Sequence, residues 1–276
     1  MMDASSIARG IRLKESGKTP GIKIVTLLTD FGLKNPYAGI MKGVILSINP
    51  DVKIIDISHD VSPQQIEEGA FLIEEYYRFF PNGTIHVAII DPTVGSERRP
   101  IVACKDNNIF IGPDNGIFTL ILDNAEIFLL ENSDFMLSDI SSTFHGRDVF
   151  APAAAYVSAG MHPSAFGRPL SNPVRLDNIF PVTEGHSLKG RIVRFDRFGN
   201  AITNVKIEFF KNFLGKRPFK VRVGSMVFTA LNKSYYESEF TCLIGSSGYL
   251  EFGYFKGSFR EKANVNKNDL VQISSL

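Results

Sequence analysis

The stretch Asp91-Pro-Thr-Val-Gly-Ser-Glu-Arg98-Arg99 ends an apolar run with a carboxylate and returns an arginine seven residues later. A tight loop of that length can fold the guanidinium back onto the carboxylate, giving a charged pair able to orient a small polar molecule. The plain alternative is a surface salt bridge, worth about 0–1 kcal/mol. Ser141-Ser-Thr-Phe-His145-Gly-Arg147-Asp148 adds an imidazole just before an expected helix; it could equally be a polar residue with no chemical role. Asp148 is read as the cap of that helix. Asp30 closes another apolar run, in Thr29-Asp30-Phe31-Gly32, where an aspartate serves a turn as readily as a ligand.

Other chemistries are poorly served. Asp56, His59 and Asp60 crowd together, but no HxH, HExxH or paired CxxC pattern occurs, so no metal site is expected. Neither G-x-G-x-x-G nor G-x-x-x-x-G-K-[ST] follows a predicted strand, which removes the standard dinucleotide and triphosphate cradles. G-x-S-x-G is absent, and Gly245-Ser-Ser-Gly248 reads as a turn.

The elements that must position these residues follow from hydrophobic periodicity. Short β-branched runs at 22–28, 52–58 and 84–91 predict strands, separated by helical patterns at 37–48 and 64–80. That alternation predicts a mainly parallel sheet with helices on its faces. In such sheets ligands bind beyond the carboxyl ends of the strands, so Asp30 and Asp91 are expected at one edge. Runs at 100–106 and 108–112 around Asp106-Asn107 predict a hairpin, 125–131 a further strand, and 148–160 a helix stopped by glycine. Prolines at 163, 169, 173 and 181 mark a linker. Beyond it, 188–196, 201–207, 219–228, 249–255 and 270–275 predict a small all-β, barrel-like domain. The expected organisation is a polar extension at 1–21, an α/β domain at 22–162, a linker at 163–187 and a β-barrel domain at 188–276.

The 276 residues carry 30 basic and 29 acidic side chains with no long run of either sign, which gives no footprint for nucleic acid or a membrane surface. No apolar run reaches the roughly 18 residues of a membrane span, and the first 21 residues carry no secretory apolar core. Cys104 and Cys242, the two cysteines, stand far apart, which fits a reducing compartment. A cytoplasmic location is expected.

Taken in order, Thr29-Asp-Phe-Gly32 with Tyr37-Ala-Gly-Ile-Met-Lys-Gly43, Asp91-Pro-Thr-Val-Gly95 with Arg98, and Gly112-Pro-Asp-Asn-Gly116 resemble the SAM hydroxide adenosyltransferase family. Phe144-His-Gly-Arg-Asp148 and Phe195-Asp-Arg-Phe-Gly-Asn200-Ala-Ile-Thr-Asn204 complete the set. The resemblance spans roughly 24–252 and includes the SAM-dependent fluorinase and chlorinase as relations. It implies an α/β domain followed by a β-barrel, and a homotrimer with sites at the junctions between subunits. It also implies hydrolysis of S-adenosyl-L-methionine (SAM) to adenosine and L-methionine, with SAM as substrate and no cofactor.

The family's hydrolases use an Asp-Arg-His constellation, which maps onto Asp91, Arg98 and His145; halogenases carry tyrosine at the first position and lack the histidine. The resemblance further implies that Asp30 accepts the ribose hydroxyls and Asp196 meets the methionine ammonium. Asn200 would read the adenine edge, while Phe144, Phe198 and Tyr37 pack on nucleoside or core. Halogenases hold the methionine carboxylate with an arginine. Here only serines are offered around Gly245–Gly248, and Ser247 is assigned that contact. The family usually has an acid at the position of Asn35 and a glycine at that of Thr93.

The sulfonium leaves without protonation, so the enzyme's task is to hold water in line with the C5′–S bond. A carboxylate paired with arginine is a weak base, which favours holding water or hydroxide over outright deprotonation. Rival readings are a SAM-dependent chlorinase, a SAM or adenosine sensor, and a metal phosphoesterase.

Overall fold

Residues 23–276 are described in the computed structural model; the expected extension at 1–21, and Ile22, lie outside them. The β-branched runs pair as a parallel core: β1 (Ile24–Thr29) lies between β2 (Lys53–Ser58) and β3 (Ile85–Ile89). Helices α1 (Tyr37–Ile48) and α2 (Ile66–Tyr76) make the crossovers. β4 (Pro100–Lys105) and β5 (Asn108–Pro113) form an antiparallel hairpin; β5 runs parallel to β3, and β6 (Glu126–Leu129) pairs antiparallel with β4. The order is β2-β1-β3-β5-β4-β6. Asp106 and Asn107 take φ values of 50° and 59°, the left-handed pair that a type I′ hairpin turn requires and that Asp and Asn tolerate best.

Alternation along β1 divides the core. Val25 and Leu27 face Met41 and Ile45 of α1 and the alanines of α3 (Ala151–Ser158). Leu28 faces the other way, with Ile73, Tyr77 and Phe110. Met41, Ile45 and Ile73 are wholly buried, each contributing about 1.5–3 kcal/mol. Ala153, Ala154 and Ala155 are equally buried, and their small size lets α3 lie close to the sheet. That helix ends in a Schellman motif: Gly160 (φ 102°) donates to the Val157 carbonyl and Met161 to that of Tyr156.

The chain divides into two units between Leu176 and Asp177. The second unit is an antiparallel, barrel-like sheet of β7 (Val182–Glu184), β8 (Ser187–Phe195), β9 (Ala201–Lys206), β10 (Phe219–Val223), β11 (Met226–Phe228), β12 (Phe240–Ile244), β13 (Tyr249–Tyr254) and β14 (Leu270–Ser275). Its order is β11-β10-β14-β8-β9-β13-β12, with β7 on β8. β8 pairs with β14 along its first half and β9 along its second, with a register shift between Ile192 and Arg194; such a bulge bends one strand into both halves of a curved sheet. Phe252 and Phe259 stack at 5.5 Å within its core.

Four elements depart from expectation. α4 (Ile207–Leu214) follows β9 directly, in a domain expected to be all β. Its Phe210 and Leu214 are buried four residues apart, the helical spacing. β12 and the short helix α5 (Phe259–Lys262) in the second unit were not anticipated, and β7 lies within the proline-rich stretch read as linker.

Candidate active site

Because β1, β2 and β3 are parallel, their carboxyl ends share one edge, and Asp30 and Asp91 follow β1 and β3 there. Asn115 of the Gly112–Gly116 turn donates to the Ile90 carbonyl at 2.8 Å, fixing the backbone just before Asp91. The loop then turns twice, Val94 donating to the Asp91 carbonyl and Ser96 to that of Thr93. Thr93 is not among the residues with positive φ; the left-handed position is Gly95, at 81°. A Cβ on Gly95 would collide with the Ser142 carbonyl oxygen, so glycine is what lets this loop lie against the segment leading to His145.

That approach brings the expected trio together. Arg98 donates to Asp91 Oδ2 from Nε at 2.8 Å, its Nη2 lies 2.6 Å from the same oxygen, and Nη2 also lies 2.7 Å from His145 Nδ1. The Arg98 and Asp91 side chains are only 6% and 5% exposed. Arginine has donors only, so Nδ1 of His145 must accept, and its ring proton sits on Nε2. Burial, then the neighbouring guanidinium, hold the His145 imidazole below its ordinary pKa; Asp91 and Asp148 pull the other way without reversing this. The neutral ring is thus a hydrogen-bond donor through Nε2. Two buried polar atoms of the trio, Asp91 Oδ1 and Arg98 Nη1, have no protein partner. Oδ1 is an acceptor open to a water, whereas Nη1 lies on the far side of the guanidinium from the Nε and Nη2 edge that faces Asp91.

His145 leads into a π-helical turn, Gly146–Phe150, a geometry that recurs at functional sites. Asp148 lies inside this turn and is not the helix cap. Its buried carboxylate accepts from the Ser141 amide at 2.9 Å and from Arg147 Nε at 2.5 Å. The π turn starts the helix earlier than the sequence pattern suggests, so Asp148 holds the preceding loop instead.

Asp30 Oδ2 accepts from the Gln64 amide at 2.8 Å. Beside it, Phe31, Tyr37 and Phe144 form an edge-to-face cluster with centroids 5.2–6.0 Å apart, and Arg147 lies 5.4 Å from the Phe144 centroid. Tyr37 remains 44% exposed. Phe31, which links these rings, was not among the expected residues. Asn35 is exposed. Among the described residues no group of three or more His, Cys, Asp or Glu could hold a metal ion.

In the second unit, Asp196 organises a turn: Oδ1 accepts from the Phe198 and Asn200 amides at 2.9 Å, and Oδ2 from Asn200 Nδ2 at 2.8 Å. That bond uses one of the two Asn200 Nδ2 hydrogens and leaves Oδ1 as an acceptor. Asn200 and the 75%-exposed ring of Phe198 line a cavity of about 550 Å³ with Tyr235, Tyr254, Phe255 and Lys256. These last four were missed from sequence; their one signal is an aromatic doublet near each place. Asp196 and Ser247 are not on the cavity wall. Ser247 Oγ is buried without a protein partner.

The N-terminal domain of the SAM hydroxide adenosyltransferase family matches residues 25–167, and its C-terminal domain matches 190–272. An (R)-S-adenosyl-L-methionine hydrolase of Methanocaldococcus jannaschii is 38% identical over 264 residues, 91% of this chain and 96% of that protein. Another of the same name, from Thermus thermophilus, is 34% identical, covering 90% of this chain and 98% of its own length. A crystal structure of an uncharacterised conserved protein from Thermotoga maritima superposes with a TM-score of 0.83 at 32% identity, over 91% of this chain and 99% of that one. With both domains matched in order and relatives similar over nearly their full length, the chain belongs to the SAM hydroxide adenosyltransferase family.

Proposed function

We propose that this protein hydrolyses SAM to adenosine and L-methionine by in-line attack of water or hydroxide on C5′. The observation that carries this reading is the buried trio in which Arg98 bridges Asp91 and His145 while Asp91 Oδ1 stays an unused acceptor for a water. That water donates to Asp91, which Arg98 holds in place, and keeps a lone pair for carbon. The neutral His145 orients the water, its Nε2–H taking the oxygen's other lone pair. As the O–C5′ bond forms, the C5′–S pair passes to sulfur, which leaves as an uncharged thioether, and the water's proton passes through Asp91 to solvent. No cofactor enters this scheme.

For recognition, Asp30 is assigned to the ribose hydroxyls, through Oδ1, and Tyr37 and Phe144 to its apolar side. The Asn200 oxygen would accept from the exocyclic amine of adenine, with Phe198 against the base. Asp196 is assigned to the methionine ammonium and Ser247 to the carboxylate. The relatives' names suggest the (R)-sulfonium epimer as the preferred substrate.

The homotrimer implied by the resemblance is proposed as well. Leu33, Ile40 and Leu46, in or just before α1, are exposed apolar residues that subunit contact would cover; light scattering tests it. A cytoplasmic location is proposed from two unlinked cysteines. No helix among the described residues is long and apolar enough to cross a membrane.

The deciding experiment incubates the protein with SAM in ¹⁸O-labelled water and chloride buffer. Adenosine carrying the label at the 5′ oxygen supports the proposal. 5′-Chloro-5′-deoxyadenosine would assign a chlorinase, and unchanged SAM a sensor.

A further inference from the structure

Asp56 and His59, weighed above as metal ligands, do something else. His59 is 4% exposed and in contact at both ring nitrogens: Nδ1 is hydrogen-bonded to Thr29 Oγ1 at 2.8 Å, and Nε2 stands 3.0 Å from Asp56 Oδ1 in an ion-pair contact outside hydrogen-bond geometry. Asp56 is in turn held by Lys42 Nζ, at 2.5 Å from Oδ2. An unprotonated Nε2 would set its lone pair against the carboxylate, so Nε2 carries a proton facing Asp56, and in that tautomer Nδ1 accepts the hydroxyl proton of Thr29. Lys42, Asp56, His59 and Thr29 thus form one polar row. Thr29 Oγ1 accepts in addition from the Phe31 amide at 3.3 Å, and the His59 carbonyl accepts from the Gly32 amide at 2.7 Å. The four-residue turn 29–32 is thus clamped at both ends by one buried histidine, with Asp30 projecting from its middle. Phe31, in the same turn, touches Phe144, the neighbour of His145.

We infer that His59 is a positioning residue for nucleoside binding: anchored by Asp56 and Lys42, it orders the turn that presents Asp30 to the ribose. The inference rests on the reading of Asp30 as the ribose acceptor. Ribose is held equally in ground and transition state, so loosening the turn raises KM and leaves kcat nearly alone.

The test is steady-state hydrolysis of SAM by full-length variants, with thermal melts alongside. Glutamine can reach Asp56 but not Thr29, whereas asparagine mimics the Nδ1 side and can still accept from Thr29. His59→Gln is expected to raise KM about tenfold, and His59→Asn to bring it back to within about threefold of wild type. Thr29→Val, which keeps the shape and loses the hydroxyl, should match His59→Gln, and the double variant should be no worse than either. In an Asp30→Asn background, His59→Gln should add nothing to KM. If Asp30→Asn raises KM and His59→Gln multiplies it by the full factor again, the positioning role is wrong while the ribose reading stands. If Asp30→Asn leaves KM unchanged, the ribose reading falls and takes this inference with it. A lowered melting temperature with unchanged KM in both His59→Gln and Thr29→Val would make the row purely structural and overturn the proposal.

Discussion

Asp91→Asn changes one atom and should separate holding a water from aiming it. In the wild type, Oδ2 takes both contacts from Arg98 and Oδ1 is free. An asparagine there has only one orientation open to it, because its NH2 cannot face a guanidinium. The amide oxygen must therefore occupy the Oδ2 place, and the NH2 must stand where the free acceptor was. A water at that point switches from donor to acceptor, and its lone pair turns away from carbon. On the proposed mechanism, losing the group that receives and directs the water's proton costs about 10²–10⁴ in rate, with KM changing by less than about threefold because substrate contacts survive.

The same change removes the carboxylate charge beside a guanidinium that is 6% exposed. Breaking such buried pairs costs about 3–5 kcal/mol; the retained hydrogen bond reduces this to about 2 kcal/mol, a fall in melting temperature of roughly 4–8 °C. Chromatographic measurement of adenosine under saturating SAM, on protein shown by a melt to be folded at the assay temperature, checks both parts. A folded Asp91→Asn enzyme that keeps more than a tenth of wild-type kcat would refute the reasoning.

Gly95→Ala should lower kcat at least about tenfold with a stability loss of only about 1–2 kcal/mol, since it adds a side chain at positive φ and pushes the two loops apart; near-normal turnover in the alanine variant would contradict the packing argument. If hydroxide attacks, kcat should climb between pH 7 and pH 10, and a flat profile across that range counts against it. His86, fully buried and bonded through Nδ1 to Thr26 Oγ1 at 2.9 Å, has its pKa lowered by burial from 6.5 to about 4. The unfolded chain then takes up a proton that the folded chain refuses, so His86 contributes fully above pH 6.5 and loses about 3 kcal/mol as pH falls from 6.5 to 4. Chemical unfolding at each pH should show a shallower decline for His86→Phe; parallel declines would exclude this histidine as the cause.

Local pattern carried much of this fold. Tyr37–Ile48 is the predicted helix residue for residue, and the Asp106-Asn107 turn followed from the backbone conformation those two residues accept. Asp30 and Asp91 could be assigned to one edge because parallel strands end together. What escaped depends on contacts distant in sequence. Ile207–Leu214 is the exception: its three phenylalanines favour a strand by propensity, yet Ile207, Phe210 and Leu214 recur at helical spacing, a local signal present in the sequence. The cavity walls at Tyr235, Tyr254 and Lys256 come from segments with no motif, gathered by the curvature of the barrel-like sheet. For the trio, spacing alone left a surface salt bridge open for Asp91 and Arg98; the contact to His145 rests on Gly95 meeting Ser142, a tertiary approach invisible in either segment.

The atoms that would choose the nucleophile all belong to two excursions from the rim, 91–98 and 141–145, and none to the strands beneath. A lineage could therefore trade water for halide by rewriting about a dozen surface-proximal positions while the scaffold is inherited unchanged. Diversification of chemistry in such a molecule is a matter of grafting, and directed evolution aimed at a new incoming group should randomise those two excursions first.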